Sequence, residues 1–134
     1  MKTPDKAAEV ACIGTGTIGG GWVAHFLRTG YRVSAWDAAE DAGSRLRERL
    51  EAVWPSLEAL GLAQGASLAN FTIYDSLEAA LEGVAFVQES VDEKVSAKVD
   101  ILSRIDAAVG EDVIIASSTS GFSMTDMQLS LIHI

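Results

Sequence analysis

The sequence predicts an α/β fold in which a doubly wound parallel sheet is covered by helices on both faces. Short apolar segments alternate with longer segments whose apolar residues recur at helical spacing along the 134 residues. The apolar segments lack the strict alternation of a sheet with one face in water, so both faces should be covered. Right-handed connections between parallel strands then give the doubly wound arrangement.

Composition restricts the classes of partner. The formal net charge of −9 argues against a nucleic-acid partner and against an anionic membrane surface, because both require basic patches. No apolar run after the polar N-terminus is long enough for a signal peptide or a membrane span. The single cysteine, Cys12, excludes an intrachain disulfide and favours a reducing, cytoplasmic location. No metal site is predicted.

Five strands and four helices follow from the apolar patterns. The predicted strands are Glu9–Ile13, Tyr31–Trp36, Phe71–Tyr74, Val84–Val87 and Val113–Ala116. The predicted helices are Ile18–Thr29, Ala38–Leu60, Leu77–Leu81 and Glu93–Val109. Pro55 should break or kink the second helix, because proline lacks the N–H of a helical hydrogen bond. Ser76 should cap the third helix.

A glycine-rich turn, Gly14-Thr15-Gly16-Thr17-Ile18-Gly19, follows the first strand directly and opens the first helix. The first glycine permits the tight turn, the second lets the backbone approach a pyrophosphate, and the third lets helix and strand pack closely. The N–H groups at the start of the helix then face the phosphates. This pattern is typical of a Rossmann-type dinucleotide site, and we expect all six residues to bind the cofactor.

Asp37 ends the second strand, about 20 residues after the glycines, where an acidic residue accepts hydrogen bonds from the adenosine ribose. Its carboxylate should repel the additional phosphate of NADP, so the predicted cofactor is NAD. The alternative is a flexible loop followed by an unrelated, helix-capping aspartate. Because strand, glycines, helix, strand and acid occur in the required order, we favour the cofactor site.

Two polar loops, Gln88–Glu93 and Ser117–Gly121, follow the last two predicted strands. Ligands of doubly wound sheets bind at the carboxyl ends of strands near the switch point, so both loops should face the nicotinamide. Together the segments CIGTGTIGGGW, FVQESVDEKVSAK and IIASSTSGF resemble the N-terminal NAD-binding domain of the 3-hydroxyacyl-CoA dehydrogenase superfamily, closest to its L-carnitine dehydrogenase branch. The resemblance extends from about Glu9 to Gln128.

The resemblance implies roles for four further residues. Glu93 matches the family glutamate beside the nicotinamide ribose, and Lys98 matches a lysine near the cofactor. Ser120 matches the serine that hydrogen-bonds the reacting oxygen of the substrate, so it is the expected catalytic residue. Ser118 stands where many members have asparagine and is expected near the nicotinamide.

Simpler interpretations exist for three of these positions. Glu93 could be only a first-turn acid that the helix dipole favours. Lys98 could be a solvated helix lysine. Ser118 could be a polar loop residue that hydrogen-bonds its own backbone.

The resemblance also implies an enzyme, a homodimer, that oxidises the 3-hydroxyl group of a small-molecule substrate with NAD. Members that act on CoA esters use lysines after the second strand, whereas Ala38–Leu60 contains none. Its Arg45, Arg47 and Arg49 could bind phosphate or form a solvated face. The expected substrate is therefore a carnitine-like 3-hydroxy acid or a 3-hydroxyacyl-CoA, and the missing lysines favour the first. The alternatives are a non-catalytic nucleotide-binding module and a 3-hydroxyisobutyrate-type dehydrogenase fragment.

The family's catalytic histidine segment is not found in the sequence. His25 is interpreted as a packing residue, and the neighbours of His133 do not resemble the family's His-Pro-Phe-Asn-Pro segment. Residues 129–134, LSLIHI, correspond to the translation of a transposon-end adapter used in DNA library preparation. The sequence therefore predicts a domain truncated on its C-terminal side, with an adapter-derived tail, that catalyses little by itself. The alternative is a natural apolar C-terminus.

Overall fold

The computed structural model describes residues 9–91 and 95–117, which form a five-stranded parallel sheet flanked by helices. The strands are β1 (Glu9–Ile13), β2 (Arg32–Trp36), β3 (Phe71–Ile73), β4 (Phe86–Glu89) and β5 (Ile114–Ser117). The helices are α1 (Thr17–Arg28), α2 (Ala42–Leu60), α3 (Leu77–Leu81) and α4 (Val95–Ala108). A 3-10 turn, Leu68–Asn70, leads into β3. The predicted doubly wound α/β fold is confirmed.

The strand order is β3-β2-β1-β4-β5, so the chain moves outward from β1 and then returns to its other side. The switch point lies between β1 and β4, whose register runs from Val10 opposite Phe86 to Ile13 opposite Glu89. Because all the strands are parallel, their carboxyl ends share one edge of the sheet, which we call the carboxyl edge. Ligands of doubly wound sheets bind at this edge, beside the switch point.

Two apolar cores lie on opposite faces of the sheet. The core under α1 and α2 contains Val10, Cys12, Val23, Leu27, Val33, Ala35, Leu46, Leu50 and Phe71. The core under α3 and α4 contains Ala11, Ile13, Leu77, Ala80, Leu81, Val84, Val87, Leu102 and Ile105. Successive side chains of β1 therefore alternate between two buried faces, which explains its uninterrupted apolar sequence.

Helix α2 begins later than predicted and is not broken at Pro55. The Asp37 carboxylate accepts the N–H of Ala39 (2.9 Å), and the N–H of Ala42 donates to the carbonyl of Ala39 (3.2 Å). These bonds form a turn where the first helical residues were expected. The helix then continues through the proline to Leu60, and Trp54, the residue before the proline, packs partly buried against the core.

Strand β4 lies two residues later than the predicted Val84–Val87. The first two residues of that prediction are buried but only lead into the strand, where the N–H of Ala85 donates to the carbonyl of Glu9 (3.0 Å). The shift places Gln88 and Glu89, which the sequence assigns to a loop, at the end of β4. Both side chains are buried.

The other predicted boundaries differ by at most two residues within the described part of the chain. The Ser76 cap of α3 is confirmed, since its hydroxyl accepts the N–H of Ala79 (3.1 Å). The apolar residues of α1 are only partly buried: Val23 is in the core, whereas Ile18 (54% exposed) and Trp22 are at the surface. No helix in residues 9–91 and 95–117 is both long and apolar enough to cross a bilayer.

Leu46→Ala should lower the free energy of unfolding by about 2–5 kcal/mol, because it leaves a cavity under α2 where the side chain is fully buried. Leu60→Ala is the matched control in the same helix, since Leu60 is 73% exposed, and should change stability by about 0.5 kcal/mol or less. Urea denaturation followed by circular dichroism measures both. Equal losses in the two variants would contradict the assigned core.

Candidate functional site

The glycine turn after β1 has no room for side chains at two of its positions. Gly14 has a φ of +91°, and a Cβ atom there would lie 2.8 Å from the carbonyl carbon of Ser90. A Cβ atom on Gly19 would overlap the carbonyl oxygen of Gly14. The N–H of Gly14 donates to the carbonyl of Trp36 (2.8 Å), which ties the turn to the end of β2. Close packing of α1 on the sheet thus depends on the first and third glycines.

Gly16 differs from these two glycines, because its missing side chain leaves open space. No atom lies within 4 Å of the position of a Cβ on Gly16. Gly16 is the N-cap of α1, and it has no side chain that could accept a hydrogen bond from the first N–H groups of the helix. Ile18 is exposed beside this opening. The positive end of the helix dipole therefore faces a space that an anionic group could enter.

Asp37 meets the glycine turn directly. Its Oδ2 accepts the N–H (2.7 Å) and the hydroxyl (3.2 Å) of Thr15, and its Oδ1 accepts the N–H of Ala39. The structure thus brings the predicted acid and the predicted loop together at the carboxyl edge. The helix-capping alternative for Asp37 is wrong, because the N-cap of α2 is Asp41.

A cleft of about 340 Å³ opens between the glycine turn and α2. Its lining combines the Asp37 carboxylate with the side chains of Arg45, Glu48 and Arg49. The Arg49 guanidinium donates to the carbonyl of Thr15 (2.5 Å) and so supports the turn from below. This role was missed from the sequence, although the four-residue spacing of Arg45 and Arg49 places both on one face of a helix.

The three arginines of α2 therefore have different surroundings. Arg45 pairs with Asp41 (3.1 Å), and the guanidinium of Arg47 lies over the ring of Phe71, 4.9 Å from its centroid. Arg49 alone of the three contacts the glycine turn in the described part of the chain. A single solvated arginine face, one of the two sequence-based interpretations, describes only part of this arrangement.

A second polar cluster lies at the carboxyl edge, beneath the ends of β4 and β5. Lys98, predicted to lie near the cofactor, is buried in α4, and its Nζ lies 3.5 Å from Oε2 of Glu89. The solvated-lysine alternative is therefore wrong. Glu89, which sequence reasoning did not single out, also accepts the N–H of Val91 (2.5 Å) and the hydroxyl of Ser117 (2.5 Å). A contact between Lys98 and the cofactor stays a prediction.

Three predicted site residues lie outside the described residues. They are Glu93, Ser118 and Ser120. The adapter-derived tail predicted at 129–134 lies outside them as well, and nothing is described of the side chain of Thr17. The roles assigned to these positions stay predictions.

Sequence comparison relates the chain to one family of oxidoreductases. Residues 9–133 match the model of the 3-hydroxyacyl-CoA dehydrogenase NAD-binding domain. L-carnitine dehydrogenase from Streptomyces coelicolor is 57% identical over 128 residues, which are 96% of this chain and 40% of that protein. The L-carnitine dehydrogenase of Burkholderia mallei is 49% identical over 126 residues, 94% of this chain and 39% of that protein. The chain thus spans about 40% of the length of these curated relatives.

Solved structures agree with this relationship. An NAD⁺-dependent dismutase, a dehydrogenase of a 5-formyl-3-hydroxy-2-methylpyridine carboxylic acid, superposes with a TM-score of 0.81 at 36% identity. The match covers 92% of this chain and 40% of that one. (S)-3-Hydroxybutyryl-CoA dehydrogenase from Ralstonia eutropha superposes with a TM-score of 0.79 at 29% identity, covering 92% of this chain and 45% of that one.

Gly16→Val should abolish NADH binding without unfolding the chain. The added side chain would enter the open space at the start of α1, where a pyrophosphate must approach the backbone, and its Cβ atom would meet no other part of the protein within 4 Å. Fluorescence titration with NADH and thermal denaturation followed by circular dichroism give the two readouts.

Gly19→Ala is the informative comparison, because its methyl group would overlap the Gly14 carbonyl. We expect that variant to lose both binding and thermal stability. NADH affinity that is unchanged in Gly16→Val would contradict the assignment of the loop.

Proposed function

The chain belongs to the 3-hydroxyacyl-CoA dehydrogenase family, and we propose that it works as the NAD-binding part of an enzyme that oxidises a carnitine-like 3-hydroxy acid to its 3-oxo product. The observation that supports this most strongly is the meeting of the glycine turn with Asp37 at the carboxyl edge. An open helix N-terminus and a ribose-binding carboxylate are the two features that a dinucleotide requires of this fold.

The residues present fit NAD. The backbone around Gly16 would hold the pyrophosphate, because that is the part of the turn with free space in front of it. Asp37 would hold the adenosine ribose by accepting hydrogen bonds from its hydroxyl groups. Bound NAD supplies the hydride acceptor, and the protein supplies binding and orientation.

The charges of the cleft support NAD over NADP. The 2′-phosphate of NADP would lie beside the Asp37 carboxylate, and the two negative charges would repel each other. Arg45 and Arg49 line the same cleft, but the first pairs with Asp41 and the second donates to a backbone carbonyl. Their positive charge is therefore partly committed elsewhere, and Asp37 should decide the selectivity.

The contacts of α2 support a carnitine-like acid over a CoA ester. The helix contains no lysine, and each of its arginines has a partner within the protein: Asp41, the Phe71 ring or the Thr15 carbonyl. A CoA phosphate would have to compete with these contacts. The relatives named L-carnitine dehydrogenase point in the same direction.

Oxidation of the hydroxyl also needs a base for the released proton. His25 does not fit this role, because it lies eight residues into α1, about 12 Å from the start of the helix, with its ring against Trp22 and Phe26. Ser120 would donate a hydrogen bond to the reacting oxygen, and Glu93 would lie at the nicotinamide ribose. We assign the base itself to another part of the enzyme.

We further propose that the enzyme is cytoplasmic and homodimeric. A reducing compartment is supported by Cys12, the one cysteine of the sequence, which is buried in the core. Burial raises the pKa of its thiol to about 12, so the group stays protonated and packs as a small apolar side chain. The homodimer rests on the family resemblance alone.

Asp37→Ser should remove the selectivity between NADH and NADPH. We expect the unmodified chain to bind NADH roughly tenfold to a hundredfold more tightly than NADPH, a difference of about 1.4–3 kcal/mol. Loss of the carboxylate should bring the two dissociation constants within about threefold of each other. Isothermal titration calorimetry with each nucleotide measures the ratio.

Glu40→Ser is the control, because it removes an exposed carboxylate three residues from Asp37 that does not line the cleft. It should leave the preference for NADH unchanged. Equal or tighter binding of NADPH by the unmodified chain would contradict the proposed cofactor.

Whether this chain can serve as the NAD-binding part of an L-carnitine dehydrogenase can be tested by exchanging domains with a relative. Residues 9–128 of this chain would replace the matching part of the Streptomyces coelicolor L-carnitine dehydrogenase. We expect the chimera to form NADH from L-carnitine and to show at least tenfold lower kcat/KM for 3-hydroxybutyryl-CoA.

Asp37→Ala in the same chimera should raise the KM for NAD⁺ much more than it lowers kcat, because it removes a binding contact. A chimera that binds NADH with the affinity of the parent enzyme and oxidises neither substrate would instead favour a non-catalytic nucleotide-binding module.

A further inference from the structure

We propose that Glu89 is a positioning residue of the cofactor site, and that its buried carboxylate fixes the backbone at Val91 and Ser117, at the carboxyl edge where the nicotinamide half of NAD would lie. The inference rests on the proposed function, since it concerns the same site. Glu89 matches none of the residues to which the family resemblance assigns a role.

Glu89 lies at the carboxyl end of β4, beside the switch point between β1 and β4. It is the last residue of β4, opposite Ile13 of β1 on one side and Ser117 of β5 on the other. Its side chain is fully buried, at 0% exposure. Burying a carboxylate away from solvent is unfavourable unless hydrogen bonds and a counter-charge compensate it. The partners of this carboxylate are therefore needed for the carboxyl edge to fold as it does.

The three partners of the carboxylate come from three different segments. Oε2 accepts the N–H of Val91, in the loop after β4, and lies 3.5 Å from Nζ of Lys98 in α4. Oε1 accepts the hydroxyl of Ser117, the last residue of β5. One side chain thus connects Val91 after β4, Ser117 at the end of β5 and Lys98 in α4.

The segment that Glu89 fixes is packed against the glycine turn. The N–H of Ser90 donates to the carbonyl of Ile13 (2.8 Å). A Cβ on Gly14 would come within 2.9 Å of the nitrogen of Val91. This segment is therefore in direct van der Waals contact with the turn. On its other side the turn is bound by Arg49, which donates to the Thr15 carbonyl, and by the Trp36 carbonyl, which accepts the N–H of Gly14. The glycine turn limits where Ser90 and Val91 can lie, and the hydrogen bond from Val91 to Glu89 holds them against the turn.

The chain continues from both fixed points to the predicted ligand contacts. Glu93 follows Val91 by two residues, and Ser118 follows Ser117 directly. Glu89 itself touches neither cofactor nor substrate in this scheme. It determines where both loops begin, and the adenosine side of the site, at Asp37, does not depend on it.

Glu9 offers a matched comparison at the opposite edge of the sheet. Its carboxylate also combines a serine hydroxyl with a cation, since it accepts from Ser34 (2.6 Å) and pairs with Arg32 (2.9 Å). The hydrogen bond from Ser34, followed by the effect of Arg32, lowers the pKa of Glu9. This cluster stands at the amino ends of β1 and β2, at the opposite edge from the glycine turn and Asp37.

The test compares how the chain binds NADH and AMP when each carboxylate is replaced. Glu89→Gln keeps the size of the side chain but removes the charge opposite Lys98 and one of the two acceptor oxygens. NADH needs both halves of the site, whereas AMP needs only the adenosine half. We expect the Kd for NADH to rise about tenfold or more and the Kd for AMP to stay within about twofold. Glu9→Gln should leave the ratio of the two constants unchanged, whatever it does to the melting temperature.

Ser117→Ala covers the case in which Glu89→Gln does not fold, because it deletes only one donor. It should weaken NADH about threefold and leave AMP unaffected. Equal losses for both nucleotides, or unchanged NADH binding, in the folded Glu89 or Ser117 variants would overturn the positioning role while leaving the cofactor site intact. An unmodified, folded chain that binds neither nucleotide would overturn the proposed function and this inference together.

Discussion

The contact between the carbonyl of Gly14 and the Cα of Gly19 is the constraint on which the remaining site geometry depends. With no Cβ atom on Gly19, α1 starts directly against the end of β1, and with none on Gly14, the turn packs against Ser90 and Val91 after β4. The N-terminus of α1 therefore lies at the carboxyl edge, beside Gly16. Thr15, just before the helix, donates its N–H to the Asp37 carboxylate. Any larger residue would push the helix outward, and the anion-binding end of the dipole would separate from the ribose-binding acid.

Two charged side chains hold this edge from opposite sides of the sheet. Arg49 reaches the carbonyl of Thr15 from α2, on one face, and Lys98 reaches Glu89 from α4, on the other. The two contacts differ in exposure: Arg49 is an exposed residue, whereas the Glu89–Lys98 ion pair is almost entirely buried. Breaking a buried pair leaves one uncompensated charge and typically costs about 3–5 kcal/mol.

The parts of the fold that depend on local chemistry could be predicted from the sequence. Three glycines after an apolar strand, and an acid at the end of the next, are requirements of the backbone and its ligand, so they are visible in the residues themselves. The later start of β4 was not visible, because Val84 and Ala85 are as apolar as a strand but only precede it. The role of Glu89 depends on the register between β4 and β5, which brings Ser117 to it. Register is a long-range property that no local pattern contains.

The central claim is that NAD lies across the carboxyl edge, from Asp37 to the ends of β4 and β5. Backbone amide shifts of the ¹⁵N-labelled chain, recorded while NADH is added, test it most directly. The account predicts the largest shifts at Thr15, Gly16 and Ser117, with no change at the amino edge around Arg32 and Ala85. Shifts concentrated at the amino edge, or none at saturating NADH, would contradict it.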